Sequence, residues 1–591
     1  PPRDGAPQAG LLSRRALVKG VVLAELRSSF LAVSTVIGVA ACAPAVHRPI
    51  GPADFPRTRP ELSGYRQTSR YADVRKFLDS LHTLGAPLTF GSIGKTNEGR
   101  DIPYVVAARP LVATASQAKR LGRPIVYVQG NIHAGEVEGK DALLALLRDL
   151  TFSSKPNALD SIVLIAVPIY NADGNERFAP QSVNRTEQNG PELVGVRHNA
   201  QNLDLNRDYV KAEAPETRAS LAMFNTWDPD VFVDLHTTDG SFHGYALTYS
   251  PSLSPAAVFG GVYARDSLLP ILRDRMRGRH GFEVFDYGNF VSDEPFLISD
   301  TSVHEAWATY DARPRFGTNY YGIRGRTAIL SEAYSHDSLE RRIASTYAFV
   351  SEILSLVAEK GSAIRSLSAR ADSQPLAWGR SPDSLQMVAI RSELIPTPRM
   401  MDVIKEDVEK RGDSVFTQPG VPKGKRRTGR FTTIRLPVYD RFTSTLDRMP
   451  PAAYVIAPQN TAVVTLLRLH GVRVDRSDSA WTARGESFVI DSIITSPRPF
   501  QGHREVRLKG RWERGLQTLP PKSFIVSTAQ PRGALIVYLL EPESDDGFTT
   551  WNLFESELRK GGRFPVRRIF DLSRRGRGAA RRSSVSSTQA P

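Results

Sequence analysis

Four short apolar runs, each closed by a polar or turn residue, constrain what this chain can become. They cover residues 124–130 (Pro-Ile-Val-Tyr-Val-Gln-Gly), 161–168, 231–235 and 327–330. Each has strand length and is apolar at successive rather than alternate positions, so it reads as a strand buried on both faces. Helical spacing follows the first run at Ala142-Leu143-Leu144-Ala145-Leu146-Leu147 and the fourth at 339–357. This alternation predicts an α/β unit over residues 63–362, a mixed, largely parallel sheet with helices on both faces. In such a sheet ligands gather beyond the carboxyl ends of the strands. The residues that close these runs are therefore where chemistry is sought.

A chain of 591 residues exceeds what one such core accommodates. Residues 363–430 are polar and carry Pro375, Pro382, Pro396, Pro398, Pro419 and Pro422, and read as a connection with little regular structure. Beyond them, β-like runs at 431–436, 453–456, 487–494, 523–527 and 534–540, interrupted by a helix-like segment at 461–469, predict a smaller β-rich C-terminal domain over 431–570. At the other end, the Pro- and Arg-rich stretch 43–62 reads as a linker. The apolar run 30–41 follows Arg27 and is short of the roughly 20 residues that span a bilayer, which suits a signal peptide over 1–42. Val39-Ala40-Ala41-Cys42 resembles a bacterial lipoprotein box, in which Cys42 is lipidated and tethers the protein to a membrane. Cys42 is the single cysteine, so no intrachain disulfide forms. The expectation is export to the bacterial cell envelope, lipid-anchored or secreted.

The net charge of +15 resembles a nucleic-acid-binding signature, but its distribution argues otherwise. Between Arg563 and Arg582 eight arginines stand against the single acid Asp571, five of them in a tail over 571–591 that reads as disordered. A second basic run, Lys423-Gly424-Lys425-Arg426-Arg427, lies in a Gly/Pro-rich stretch and reads as a loop. Neither run interleaves aromatic residues for base stacking, so no nucleic-acid partner is expected.

The chemistry concentrates at the ends of the strands. In Gly130-Asn131-Ile132-His133-Ala134-Gly135-Glu136, a turn between strand and helix aims His133 and Glu136 at one point. Imidazole and carboxylate are both zinc ligands, and a catalytic zinc takes three protein ligands with a fourth position open. His236, closing the third strand, supplies the third, with His243 and the pair His304-Glu305 as competitors. His304-Glu305 lacks the second histidine of a His-Glu-x-x-His helix. Asn202-Leu203-Asp204-Leu205-Asn206-Arg207 offers a guanidinium fork that matches a carboxylate. Ile329-Leu330-Ser331-Glu332 sets a carboxylate in an apolar strand, a costly placement unless the acid is paired or used.

The ordered set of His133-x-x-Glu136, Asn206-Arg207, His236 and Glu332 resembles the zinc carboxypeptidase family, the carboxypeptidase A/B-like metallopeptidases. Asn171-Ala172-Asp173-Gly174 resembles that family's Asn-Pro-Asp-Gly turn, with alanine in place of proline. The resemblance implies one zinc per chain on His133, Glu136 and His236, with Asp204 holding His133 in the right tautomer. It implies Glu332 as general base to a zinc-activated water, and Asn206 and Arg207 on the free C-terminal carboxylate of a peptide substrate. For the oxyanion it points to Arg185, with Arg177 as second choice. For the tyrosine that closes over the substrate it points to Tyr321, ahead of Tyr310 and Tyr320.

Two other readings share part of this site. A zinc amidohydrolase acting on murein peptides or acylated amino acids uses the same three ligands without needing Arg207. An envelope binding protein keeps the fold and lacks turnover. Because the basic tail carries no residue of the constellation, deleting residues 571–591 is expected to leave kcat/KM for a peptide substrate unchanged.

Overall fold

The structure, a computed structural model, describes residues 52–378, 386–398, 400–411, 418, 421 and 424–572. The expected signal peptide with Cys42, residues 43–51 of the linker and the tail beyond residue 572 lie outside the described residues. Among the described residues no helix is long and apolar enough to cross a membrane.

An eight-stranded mixed sheet organises the first part of the chain. Its strands are β1 (Leu88–Lys95), β2 (Asp101–Ala107), β3 (Ile125–Gly130), β4 (Val163–Val167), β5 (Val231–Thr237), β6 (Leu247–Pro251), β7 (Val284–Asp286) and β8 (Thr327–Ala333). They lie in the order β1-β2-β4-β3-β5-β8-β6-β7, with the four central strands parallel. Alternate side chains of these apolar runs go to opposite layers. Val126, Val128, Val231, Val233 and Ile329 pack with Leu143, Phe349 and Ile353 from the helices Glu138–Phe152 and Leu339–Trp378. Ile125, Tyr127, Phe232 and Ala328 pack on the other face against Phe224 and Trp227 of the helix Pro215–Trp227. Both faces are covered, which is why the runs show no polar alternation.

The second layer continues without a break into the C-terminal part. Tyr454, Ile456, Phe488, Ile536, Trp551 and Phe564 belong to the same apolar cluster as Tyr127 and Phe232. That part is β-rich: a six-stranded, wholly antiparallel sheet is built from Asp475–Arg476, Phe524–Ser527, Ala453–Ile456, Arg563–Ile569, Trp481–Thr495 and Val506–Leu519 in spatial order.

Three local readings are corrected. Residues 363–430 are not an irregular connection: the helix Leu339–Trp378 runs into them, and they hold the strands Val388–Ile395, Met401–Lys410 and the start of Lys425–Leu436. These strands are half exposed and rich in charge, so they show no apolar run. The hairpin of Met401–Lys410 with Lys425–Leu436 also shifts register between Glu406 and Val408, which breaks its alternation. The basic residues Lys425, Arg426 and Arg427 accordingly stand in a strand rather than a loop. Residues 534–540 form the helix Gly533–Leu540 instead of a strand. Buried almost all round, that helix reads as an unbroken apolar run, which periodicity cannot separate from a buried strand.

A buried ion pair ties the helices to the sheet behind the strand ends. Arg342 and Glu138 are both fully buried, and Arg342 Nε donates to Glu138 Oε2 at 3.2 Å. The same guanidinium donates to the carbonyls of Asn189 (3.0 Å), Gly190 (2.7 Å), Ser335 (3.2 Å) and Asp337 (2.6 Å), and Thr237 Oγ1 donates to Glu138 Oε1. Removing one partner strands a charge in the interior. Arg342→Met is expected to destabilise the protein by about 3–5 kcal/mol in urea unfolding. Arg341→Met, at the half-exposed Asp337 pair, is expected to cost less than about 1 kcal/mol.

Candidate active site

β3 runs to Gly130 and the helix begins at Glu138, and the turn between them is held from several sides. Asn131 takes a left-handed conformation (φ 65°) and its Nδ2 donates to the carbonyls of Ala134 (3.2 Å) and Glu136 (3.3 Å). Asn171, from the turn after β4, donates through Nδ2 to the carbonyl of Ile132 at 3.2 Å. Gly135 admits no side chain, because a Cβ there would lie 2.7 Å from the Arg185 side chain and 2.9 Å from the Gly195 carbonyl. This packing turns His133 and Glu136 toward the end of β5.

There they meet His236. His133 Nδ1 lies 2.9 Å from Glu136 Oε1, and His236 Nδ1 lies 3.0 Å from Glu136 Oε2 and 3.2 Å from His133 Nδ1. All three residues are buried, at 2–3% exposure. Behind them His133 Nε2 faces Asp204 Oδ1 at 3.0 Å, and His236 Nε2 faces Asp234 Oδ2 at 3.1 Å. With the His133 Nε2 proton held by Asp204 and His236 Nε2 beside the Asp234 carboxylate, both Nδ1 atoms face Glu136. Two lone pairs so close repel unless a proton or cation lies between them. Two imidazoles and one carboxylate, with donor atoms all within 4.8 Å of one another, suit zinc. His243 instead packs on Tyr334 with ring centroids 4.2 Å apart, and His304 and Glu305 are exposed. Neither joins the cluster.

Glu332 stands beside it by register. In the parallel pairing of β5 with β8, Glu332 is opposite His236, so both side chains leave the sheet on one face. Burial pushes the Glu332 carboxyl well above the usual range, and Glu136 and Asp239 add to this against the opposing His236. Burial also opposes ionisation of Glu136 and Asp204. It is outweighed by His133 and Arg185 at Glu136, and by His133, Arg197 and Arg207 at Asp204, so both stay well below the usual range.

The other residues singled out in the sequence separate into two groups. Asn206 and Arg207 line the cleft with Glu332 and the cluster. Asn206 is fixed by its N–H on Asp204 Oδ1 (3.0 Å) and by Gly317 N–H on its Oδ1 (2.9 Å). The Arg207 guanidinium lies over the Phe316 ring, 4.0 Å from its centroid. Tyr321 and Arg185 are not brought into this lining. Tyr321 is fully buried under the sheet, stacked on Phe224 at 3.9 Å and tilted on Phe232 at 4.4 Å, and its hydroxyl meets Ser220. Arg185 is spent behind Glu136, donating to Oε1 (3.2 Å) and to the carbonyls of Thr237 (3.2 Å) and Thr238 (3.0 Å). Arg177 pairs with Glu98 at the surface.

Arg197, Tyr310, Tyr287, Asp239 and Phe316 line the cleft instead. Arg197 reaches it because residues 199–203 fold back: Asn199 Oδ1 accepts from the N–H groups of Gln201 (3.0 Å) and Leu203 (2.9 Å), and Asn202 is left-handed (φ 62°). Arg197 Nε then donates to Asp204 Oδ2 at 2.9 Å. The two asparagines around this return were the available signal. Tyr310 precedes the helix Gly317–Ile323 that carries Tyr320 and Tyr321 inward, and its hydroxyl is buried without a partner.

Residues 74–258 match the model of a family described as zinc carboxypeptidase. Carboxypeptidase 2 of Trichophyton rubrum is 22% identical over 505 residues, covering 80% of this chain and 81% of that protein. Carboxypeptidase 2 of Trichophyton tonsurans is 22% identical over 506 residues, with 80% and 81% covered. Among solved structures, a metallo-carboxypeptidase from Burkholderia cenocepacia is 18% identical, covering 49% of this chain and 69% of that one with a TM-score of 0.35. The stretch that matches the zinc carboxypeptidase family model, residues 74–258, is the one that holds His133, Glu136 and His236, and it forms a zinc carboxypeptidase-type domain.

Proposed function

We propose that the protein removes C-terminal residues from peptides, with Glu332 as general base and Asn206 and Arg207 reading the free carboxylate. The observation that carries this reading is the placement of Arg207 in the same cleft as the metal cluster and Glu332. The Arg207 guanidinium lies over the Phe316 ring with Nη1 on the Asn206 carbonyl at 3.0 Å, and its other N–H groups match a substrate carboxylate. An enzyme that cuts in mid-chain has no use for it.

Bound zinc supplies a Lewis acid that polarises the scissile carbonyl and acidifies a water. The remaining roles belong to the chain. Glu332 accepts the proton of the attacking water on its carboxylate and returns it to the leaving amine. Its burial suits both steps, since a raised carboxyl pKa makes a stronger base and an acid that persists nearer neutral pH. Arg197, anchored by Asp204 through Nε and by Glu136 Oε1 through Nη1, offers its other N–H groups to the developing oxyanion. This role passes to Arg197 from Arg185 because Arg197 lines the cleft, whereas Arg185 lies behind Glu136 with Nη1 and Nη2 on Glu136 and two carbonyls. Asp204 holds the His133 imidazole by Nε2, and the Asp234 carboxylate stands 3.1 Å from His236 Nε2. Tyr310, with an unpartnered hydroxyl, takes the closing role that the sequence suggested for Tyr321.

Glu332→Gln is expected to lower kcat by about 10²–10⁴-fold while elemental analysis still finds wild-type zinc. Equal turnover by the variant sinks the assignment of the base. A peptide and its C-terminal amide separate exopeptidase from amidohydrolase action. The wild type is expected to favour the free acid, and Arg207→Ala to raise KM for the acid by about 10–100-fold with little change for the amide. Equal use of acid and amide by the wild type sinks the carboxylate reading.

A further inference from the structure

The carboxylate side of the cleft depends on one loop. Tyr310 at its start lines the cleft, Phe316 supports the Arg207 guanidinium, and Gly317 N–H holds Asn206 Oδ1. Between these contacts Arg315 turns away, 3% exposed, into the C-terminal β-rich part of the chain. Its Nε and Nη2 donate to Asp546 Oδ1 at 2.9 and 2.6 Å, and its backbone N–H donates to Asp546 Oδ2 at 2.7 Å. Its Nη1 donates to Glu505 Oε1 at 2.7 Å. Asp546 is fully buried and also accepts from Trp551 Nε1 at 3.1 Å, while the guanidinium lies 4.7 Å from the centroid of the Trp551 ring. From the same part of the chain, Gln501 reaches the opposite flank. It is left-handed (φ 49°), and its Oε1 accepts from the N–H of Asp204 at 2.9 Å. Asp204 begins the turn that carries Asn206 and Arg207.

Such a latch does little for net stability, because desolvating two charges offsets most of their attraction. What several directed bonds to one buried guanidinium supply is position. Substrate-binding groups must sit within about 0.5 Å of their productive geometry, and here those groups share a loop and a turn that are both gripped from 500–546.

We propose that Arg315, Asp546 and Gln501 are positioning residues, through which the C-terminal β-rich part holds the carboxylate-reading side of the cleft in register with the metal cluster. The proposal rests on Asn206 and Arg207 reading the substrate carboxylate. It makes the C-terminal part a component of exopeptidase selectivity, acting through Arg207 and Tyr310 without touching substrate.

The test measures KM and kcat separately on a peptide and its C-terminal amide for the full chain and the variants Asp546→Asn, Glu505→Gln, Gln501→Gly and Arg207→Ala, with zinc content and Tm recorded. Asp546→Asn is expected to raise KM for the free acid about tenfold, to change kcat by less than about threefold, and to leave the amide and the zinc content unaltered. Glu505→Gln, at a partly exposed partner, and Gln501→Gly, which keeps the left-handed backbone, are expected to raise the same KM about threefold. They carry the test if Asp546→Asn does not fold. Unchanged KM in the folded variants, while Arg207→Ala raises it, overturns the proposal alone. Equal losses on acid and amide also overturn it, since that is what a general loss of structure produces. An unchanged KM in Arg207→Ala overturns the carboxylate reading, and the proposal falls with it.

Discussion

The candidate site depends on the parallel register of two neighbouring strands, in which Glu332 stands opposite His236. A slip of one residue would send either side chain through the sheet into an apolar layer. The register is held because Val231, Val233 and Ile329 fill one layer while Phe232 and Ala328 fill the other. The acid and the ligand therefore emerge together where the apolar positions end. The third strand of the arrangement, Ile125–Gly130, lies on the far side of Val231–Thr237, and its turn delivers His133 and Glu136 to the same edge. This edge is a switch point of the sheet, since the chain leaves Ile125–Gly130 toward one side and returns on the other.

Preorganisation comes from groups that stand one layer back. Asp204 takes the outer nitrogen of His133, and the Asp234 carboxylate lies 3.1 Å from that of His236. Arg185 and the N–H of Thr237 hold Glu136, the latter on Oε2 at 3.1 Å. Thr237 in turn leans on Glu138, which Arg342 ties to the carbonyls of two loops. The ligands are thus oriented by buried charge whose own partners are backbone groups. Such a network costs desolvation and returns geometry, which is what a site with a demanding donor arrangement requires.

Where motifs are local, the residues themselves carried the reading. The turn His133-Ala134-Gly135-Glu136 and the strand-closing His236 and Glu332 could be recognised because each sits at a change from apolar run to polar residue. Arg197 escaped notice because its approach to Asp204 depends on a chain reversal held by Asn199. The choice between Tyr310 and Tyr321 turned on helix phase, which carries Tyr321 beneath the sheet onto Phe224. The helix Gly533–Leu540 passed for a strand because burial on all sides erases the period that distinguishes them.

By itself the sequence determined the layered α/β sheet, the three donors of the metal cluster and the acid beside them. These follow from hydrophobic periodicity and from residue types whose chemistry is narrow. Only the tertiary structure decided which arginine and which tyrosine face the cleft, and that the C-terminal strands share a core with the catalytic sheet. It alone joined Arg315 to Asp546, 231 residues apart. The physical reason is that a charged or aromatic side chain is equally at home at many positions of a chain. Its partner is chosen by packing between elements distant in sequence, and no local period records that choice.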